Sequence, residues 1–291
     1  MSRPFTVSII GIGKVGLSLA CAFSQAGHTV VLGSRDTERA TSILDKFNLS
    51  LPLVSPTQAA NKSEVVLLTV ADRDLATTAR LIDTQLANKQ IVAHCSGSLS
   101  SSILHENINI NIEAASIHPL NTFPNLTAAA QLLTQSDHAT TCFAEGSEAA
   151  LNKLDGLFST IQCQVERISE NAKTHYHLAC VMACNYLTAL VHKSIDIAAD
   201  GGINAQLFSQ ALIPILRATV DNIEQHGTAK ALSGPIARDE TAIVERHMNA
   251  LTGDHLGAAI YQGLGQVAVQ MANDLTTAQR SGLSAALKPK R

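Results

Sequence analysis

Six residues near the start of the chain, Gly11-Ile12-Gly13-Lys14-Val15-Gly16, have the spacing of a phosphate cradle. Gly11 lets the chain turn sharply, Gly13 lets backbone approach a pyrophosphate, and Gly16 lets helix pack closely on strand. The helix that follows offers free N–H groups and a positive dipole end to the phosphates. A dinucleotide in that place calls for a partner group that can move a proton. His118, Lys173, Ser96 and Asn185 are the candidates for acid/base and positioning work, and His177 and Arg238 for substrate binding. As hydride reaches a carbonyl or imine carbon, charge develops on the oxygen or nitrogen, and a lysine or histidine can neutralise it. Amide and hydroxyl groups such as Asn185 and Ser96 can orient a substrate, and an arginine suits a carboxylate. The plainer readings are solvated charges for Lys173 and Arg238, and a buried hydrogen-bonding residue for Asn185.

The elements that must position these groups follow from hydrophobic pattern. The apolar run Phe5–Ile10, the glycine turn, a helix over 14–26 and a strand over 29–32 fit one βαβ unit. Further strands are predicted at 51–54, 64–69, 90–94, 113–117, 139–144 and 164–168, with helices between several of them, and Asp72 is read as the cap of one such helix. Val70 and Ala71 then fall beside the cofactor crevice, and Cys95-Ser96-Gly97-Ser98 forms a small polar loop where a nicotinamide would rest. Pro119 keeps His118 extended at the sheet's ligand-binding edge. From Ser169 the pattern is helical, with helices predicted over 170–198, 205–225, 240–251 and 255–274 and a frayed tail over 288–291. Two domains are predicted, 1–168 and 169–291, with small ligands bound in a cleft between them. On the first of those helices Lys173, His177, Cys180 and Cys184 share a face at 100° per residue. A metal reading of that face lacks a CxxC, an HExxH or a carboxylate partner, so no metal is expected.

Residues at the end of the second strand choose the cofactor. Where NAD enzymes place an acid, this chain has Ser34 and then Arg35, a hydroxyl and a guanidinium suited to a 2′-phosphate. Asp36 is read as the N-cap of the helix over 37–47. NADP(H) is therefore expected.

Of 291 residues, 46% are hydrophobic and 15% charged, with a net charge of −3, so neither nucleic acid nor an anionic membrane surface is an expected partner. No run reaches the roughly 18 uninterrupted apolar residues of a membrane span. The short N-terminal apolar run serves as a strand rather than a signal peptide. The six cysteines show no paired spacing and read as buried thiols in a reducing compartment, which points to the cytoplasm. GxSxG, a Walker A loop and basic clusters are absent.

Taken together, GIGKVG, Cys95-Ser96-Gly97, His118-Pro119-Leu120 with Phe123, Lys173 with Tyr176-His177, Asn185, and Ser233-Gly234-Pro235-Ile236-Ala237-Arg238 resemble one family. It is the bacterial proteins that join a Rossmann-like NADP-binding domain to a DUF2520 domain. The resemblance implies an α/β fold: an N-terminal Rossmann-type parallel sheet, then an all-helical C-terminal domain similar to that of 6-phosphogluconate dehydrogenase. It also implies dimerisation through the helical domain and NADP-dependent oxidoreductase activity. Lys173 and Asn185 are similar in outline to the lysine and asparagine of ketopantoate reductases and β-hydroxyacid dehydrogenases. His118 and Ser96 are similar in placement to groups of prephenate dehydrogenases, and the layout is similar to pyrroline-5-carboxylate reductases. The family's Arg-Gly-Asp reads Arg238-Asp239-Glu240 here. The expected activity is reduction of a small keto, imino or hydroxy acid, with an NADP(H)-binding sensor as the alternative. An F420-type hydride carrier in place of substrate has no residue support.

Overall fold

A computed structural model describes residues 3–288 apart from 62, 129–132 and 134–138. The chain divides into two compact units, Met1–Val181 and Met182–Arg291. The division falls beyond the expected Ser169, because the helix carrying Lys173 goes with the first unit.

In the first unit the strands are β1 (Thr6–Ile10), β2 (Thr29–Gly33), β3 (Leu53–Val54), β4 (Val65–Leu68), β5 (Ile91–His94), β6 (Glu113–Pro119), β7 (Thr140–Gly146) and β8 (Cys163–Arg167). They form one sheet in the order β3-β2-β1-β4-β5-β6-β7-β8. The first six run parallel in the 3-2-1-4-5-6 order of the Rossmann fold, and β7 turns antiparallel against β6. Successive side chains of a strand face opposite sides of the sheet. Val7, Ile9, Val65 and Leu67 accordingly join one buried cluster, and Ile10, Val66 and Leu68 the other. Burial on both faces is why these strands read as continuous apolar runs. The sheet's carboxyl edge is left to the loops.

Helix α1 (Lys14–Gln25) follows the glycine turn, and α2 (Thr37–Lys46) starts at Asp36, whose carboxylate accepts from the Arg39 N–H at 3.0 Å. Helix α3 is Pro56–Asn61 and α4 is Asp72–Ile82. Asp72 does not cap α4: Ala71 holds the cap position, and the Asp72 carboxylate accepts from Ser98 Oγ at 2.7 Å. Short α5 (Ser102–His105) and α6 (Glu148–Ser159) complete the layers, and α7 (Lys173–Cys180) closes the unit.

The helical run predicted over 170–198 is not one regular helix. A π turn over Val181–Asn185 separates α7 from α8 (Tyr186–Asp200). The wider turn breaks the 100° register, so the shared face extrapolated from Lys173 to Cys184 fails: Lys173 is buried and Cys184 exposed. By length and a mean hydropathy of 1.3, Glu170–Asp200 reaches membrane-span dimensions, although polar residues interrupt it.

The second unit contains α8, α9 (Ala205–His226), α10 (Thr228–Ala231), α11 (Thr241–Ala250), α12 (His255–Met271) and α13 (Thr277–Ala286). Its small core is Ile236, Val244, Val269, Leu283 and Leu287. Helix α13 had no counterpart in the hydrophobic reading, yet Thr276 and Gln279 form its capping box, a signal present in the sequence. The expected tail lies outside the described residues from 289 onward.

Candidate active site

The glycine turn is shaped as its sequence requires. Gly11 adopts φ +110°, and a Cβ there would stand 2.9 Å from the Thr69 and Val70 backbone. A Cβ on Gly16 would lie 2.0 Å from the Gly11 carbonyl oxygen, whereas one on Gly13 would meet nothing within 4 Å. The first and third glycines are therefore packing requirements, and the second faces open space. Thr69 Oγ1 donates to the Gly11 carbonyl at 2.6 Å and so holds the turn from β4. No side chain caps α1 at Gly13, which leaves its first-turn N–H groups free for an anion.

A cleft of about 360 Å³ opens there, lined by Gly11, Ile12, Gly13, Val70, Ala71 and the end of β2. Lys14, Val15 and Gly16 lie in the first turn of α1, with Lys14 exposed and Gly16 buried. Ser34, Arg35 and Arg39 stand at the cleft's far end. Ser34 Oγ donates to the Asp36 carbonyl at 2.8 Å, and the exposed Arg35 guanidinium makes a loose 3.8 Å pair with Asp74. Arg39 was not singled out from sequence; its place one turn into α2, three residues past the Asp36 cap, was the available signal. Bare helix N-terminus, backbone open at Gly13 and two arginines at the β2 end are what a phosphorylated dinucleotide requires, and the residues present fit one.

Ala71 of the cleft wall is followed by Asp72, which accepts from Ser98 Oγ and so ties the loop after β5 to that end of the cleft. That loop is clamped by side chains from several elements. His94 Nδ1 accepts from the Ser96 N–H at 3.2 Å, and its Nε2 pairs with the Ser100 carbonyl at 3.0 Å, which fixes the tautomer with hydrogen on Nε2. Burial, reinforced by the Lys173 charge, lowers the His94 pKa to about 4. Glu145, 3% exposed on β7, accepts from both Ser101 N–H and Oγ at 2.8 and 2.7 Å. Ser100 Oγ donates to Glu170 at 2.9 Å. Ser96 Oγ accepts from the Ser98 and Leu99 N–H groups, so it serves the turn itself.

His118 stands beside this loop at the end of β6. Its Nδ1 pairs with Tyr176 Oη at 2.7 Å, and Tyr176 in turn packs on Phe143 with ring centroids 4.7 Å apart. Burial, then the positive fields of Lys173 and His177, brings the His118 pKa down to about 4, with Asp72 opposing. Burial pushes the Tyr176 phenol up. Both therefore keep their neutral forms through the physiological range. His177 lies at 88° to the His118 ring, with centroids 6.4 Å apart, and its buried Nδ1 has no hydrogen-bond partner. Gly97 makes room for both rings: a Cβ there would be 2.8 Å from His177 Nδ1 and 3.1 Å from His118 Nε2.

Lys173, 1% exposed, donates to the Ser96 carbonyl at 2.8 Å and to Ser116 Oγ at 2.7 Å. Burial lowers its pKa, with Glu145, Cys95 and Asp72 opposing. The first unit thus brings together Ser96, His118, Lys173 and His177. Asn185 and Arg238 belong to the second unit. Asn185 is exposed in the π turn, and Arg238 pairs with Glu240 through two contacts of 3.1 and 2.8 Å. Asp239, standing where the family has glycine, keeps the left-handed conformation at φ +56°, a region aspartate enters more readily than most residues. Ser116, Glu145 and His94 were not singled out from sequence. Ser116 lies two residues before His118, hence on the same strand face, and that spacing could have revealed it.

The fold defines a Rossmann-type chain with a helical C-terminal unit. Within it, residues 140–268 match the family described as Domain of unknown function (DUF2520). Residues 6–97 match the family described as NADP oxidoreductase coenzyme F420-dependent, so the resemblance read from the motifs holds in both halves. The chain is similar to the F420-dependent NADP reductase of Methanothermobacter thermautotrophicus, with 33% identity over 89 residues, 28% of this chain and 38% of that protein. The match thus spans well under half of that relative's length. Among solved structures, a Thermotoga maritima protein shares 23% identity at a TM-score of 0.69, covering 91% of this chain and 98% of that one. The 1-pyrroline-5-carboxylate reductase of Streptococcus pyogenes shares 15% identity at a TM-score of 0.63, covering 98% and 99%. These likenesses concern the fold.

Proposed function

We propose that the protein is an NADPH-dependent reductase of a small keto or imino acid. The observation that carries this reading is the continuous edge from the glycine cleft through Asp72 and the clamped loop to the His118–Tyr176 pair. The cofactor match of residues 6–97 and the reductases among the structural relatives support the class. The F420 of the relatives' name is not carried into this reading, which rests on the NADP-binding match of residues 6–97.

In this reading Gly11–Gly16 and the α1 N-terminus hold the pyrophosphate, while Ser34, Arg35 and Arg39 select the 2′-phosphate. The reduced nicotinamide supplies two electrons and one hydrogen to the substrate carbon. His118 supplies the proton to the substrate oxygen or nitrogen. When Tyr176 donates to Nδ1, the imidazole proton sits on Nε2, the nitrogen nearest Gly97. As Nε2 gives up its proton, Tyr176 can stabilise the ring through Nδ1, so the neutral histidine acts as an acid without first becoming charged. His177, its ring set against that of His118, is the substrate-binding candidate beside it.

A cytoplasmic location and assembly as a homodimer form part of the proposal. Helix α9 runs 22 residues with none buried, and Leu207, Ile213, Ile215 and Val220 are all exposed, apolar surface on more than one side of the helix that a second copy would cover. The test of the function is NADPH consumption against a panel of 2-keto acids and cyclic imines, with His118→Ala alongside. Consumption by the wild type and its loss by 100-fold or more in the variant, on the order of a general-acid contribution, support the reading. An active His118→Ala refutes the assignment of His118.

A further inference from the structure

We propose that Lys173, similar in outline to the lysine of ketopantoate reductases, is a positioning residue that exchanges no proton with substrate. The proposal rests on the reductase reading only for the location of the site. Its own basis is the bonding of the ammonium. Two of the three N–H bonds are committed, to the Ser96 carbonyl and to Ser116 Oγ, and the Tyr176 ring centroid lies 6.0 Å from Nζ. At 1% exposure no face of the group is left open to a ligand.

What these bonds do is mechanical. Ser96 begins the loop after β5, Ser116 lies on the neighbouring β6, and Lys173 ties the two from α7. Ser116 is in register with Glu145, which holds the loop's other end at Ser101. The result is a brace at each end of a six-residue turn, with Gly97 held between them under the two imidazoles. Asp72 fixes the turn's middle at Ser98, and His94 holds Ser96 and Ser100 on either side of it. Without the Lys173 brace, Ser96 keeps only the longer 3.3 Å bond from Ser116 Oγ as its side-chain tie to β6, so the Gly97 end loosens while the Glu145 end stays fixed. The ammonium also acts on His118 at a distance. The groups facing that ring are Tyr176, His177 and Lys173 on α7 and Asp72 on α4, and of these Lys173 is the fixed positive charge.

The experiment compares Lys173→Met, Lys173→Arg and Ser116→Ala in the full chain. The readouts are amide hydrogen exchange at Gly97 and Ser98, NMR titration of the His118 ring, and NADPH consumption with whichever panel member the wild type reduces. In Lys173→Met, exchange at Gly97 and Ser98 accelerates. The His118 titration rises while staying below that of a free histidine, because burial persists. Turnover falls about 10–100-fold, the scale of a misplaced reacting group. Arginine keeps the charge and two donors in a fork but cannot lend its proton at neutral pH, so Lys173→Arg restores most of the rate. Ser116→Ala, which removes the bonds to Lys173 and to the Ser96 carbonyl but no charge and leaves the direct Lys173–Ser96 bond, moves the exchange in the same direction by less. An acid/base lysine gives the opposite pattern. Turnover would vanish in both Lys173 variants while loop exchange stayed unchanged, and Ser116→Ala would be silent; that result overturns the proposal. Loop exchange needs no substrate, so it decides the role of Lys173 separately from the reductase reading, which fails only if no panel member consumes NADPH.

Discussion

Adding one methyl group at Gly97 tests whether the geometry around His118 and His177 is what the chemistry needs. In Gly97→Ala the new carbon would stand 2.8 Å from His177 Nδ1 and 3.1 and 3.2 Å from His118 Nε2 and Cε1. Ordinary contact begins near 3.4 Å, so the overlap is about 0.6 Å with one ring and 0.3 Å with the other. The loop cannot back away, since His94, Lys173, Asp72 and Glu145 hold it from four sides. The rings must move instead, and moving His118 strains its 2.7 Å pair with Tyr176. Overpacking of this size costs about 1–3 kcal/mol of stability, and misplacing the imidazole by a fraction of an ångström lowers turnover about 10–100-fold. NADPH affinity, set at the glycine cleft, changes little. Denaturant unfolding, NADPH titration and panel turnover measured on one preparation separate the three effects. A variant with wild-type stability and wild-type turnover would refute the reasoning, because it would mean the loop yields where the clamps should hold it.

Other perturbations read other parts of the structure. Arg35→Ala should weaken NADPH binding about tenfold, the scale of one exposed charge-assisted contact, and leave NADH binding unchanged in parallel titrations; equal losses would remove Arg35 from the 2′-phosphate site. Gly16→Ala forces a carbon to within 2.0 Å of the Gly11 oxygen, so it should destabilise the first unit by about 3 kcal/mol or more in denaturant unfolding, and near-native stability would contradict the turn. The histidines give stability a pH signature. The pKa values of His94 and His118 are near 4 when folded and ordinarily 6.5, so the unfolded chain binds more protons between those values. Their contribution is complete above pH 6.5 and is lost as pH falls toward 4. Melting temperature should drop through that window, and His118→Gln should flatten the drop; no change between wild type and variant would place His118 in water.

Which of these features the sequence revealed follows from how local their causes are. The glycine fingerprint, the double-faced apolar strands and Pro119 each act on neighbours within a few residues, so β1 through β8 and the place of His118 were readable. Asp36 capped its helix as read, whereas Asp72, with the same composition cues, turned to Ser98 instead. A carboxylate at a helix start has two choices, and the winner depends on a loop 26 residues away. The braces of the site are longer-range still. Glu145 reaches Ser101 only because β7 pairs antiparallel with β6, and Lys173 reaches Ser96 across 77 residues. The helical face predicted from Lys173 to Cys184 failed for a local reason that no periodicity signals, a π turn at Val181–Asn185. Asn185 and Arg238 belong to the second unit, where Arg238 holds Glu240.

The central claim, hydride transfer at the edge beside His118, is tested most directly with NADPH deuterated at the reactive nicotinamide carbon, each face separately. The enzyme is incubated with the keto-acid and imine panel and the products are weighed by mass spectrometry. The account predicts deuterium in the reduced product from one face of the nicotinamide only, with the yield lost in His118→Ala while NADPH still binds. Tight NADPH binding with no deuterium in any panel member would contradict it, and would leave the chain a dinucleotide sensor.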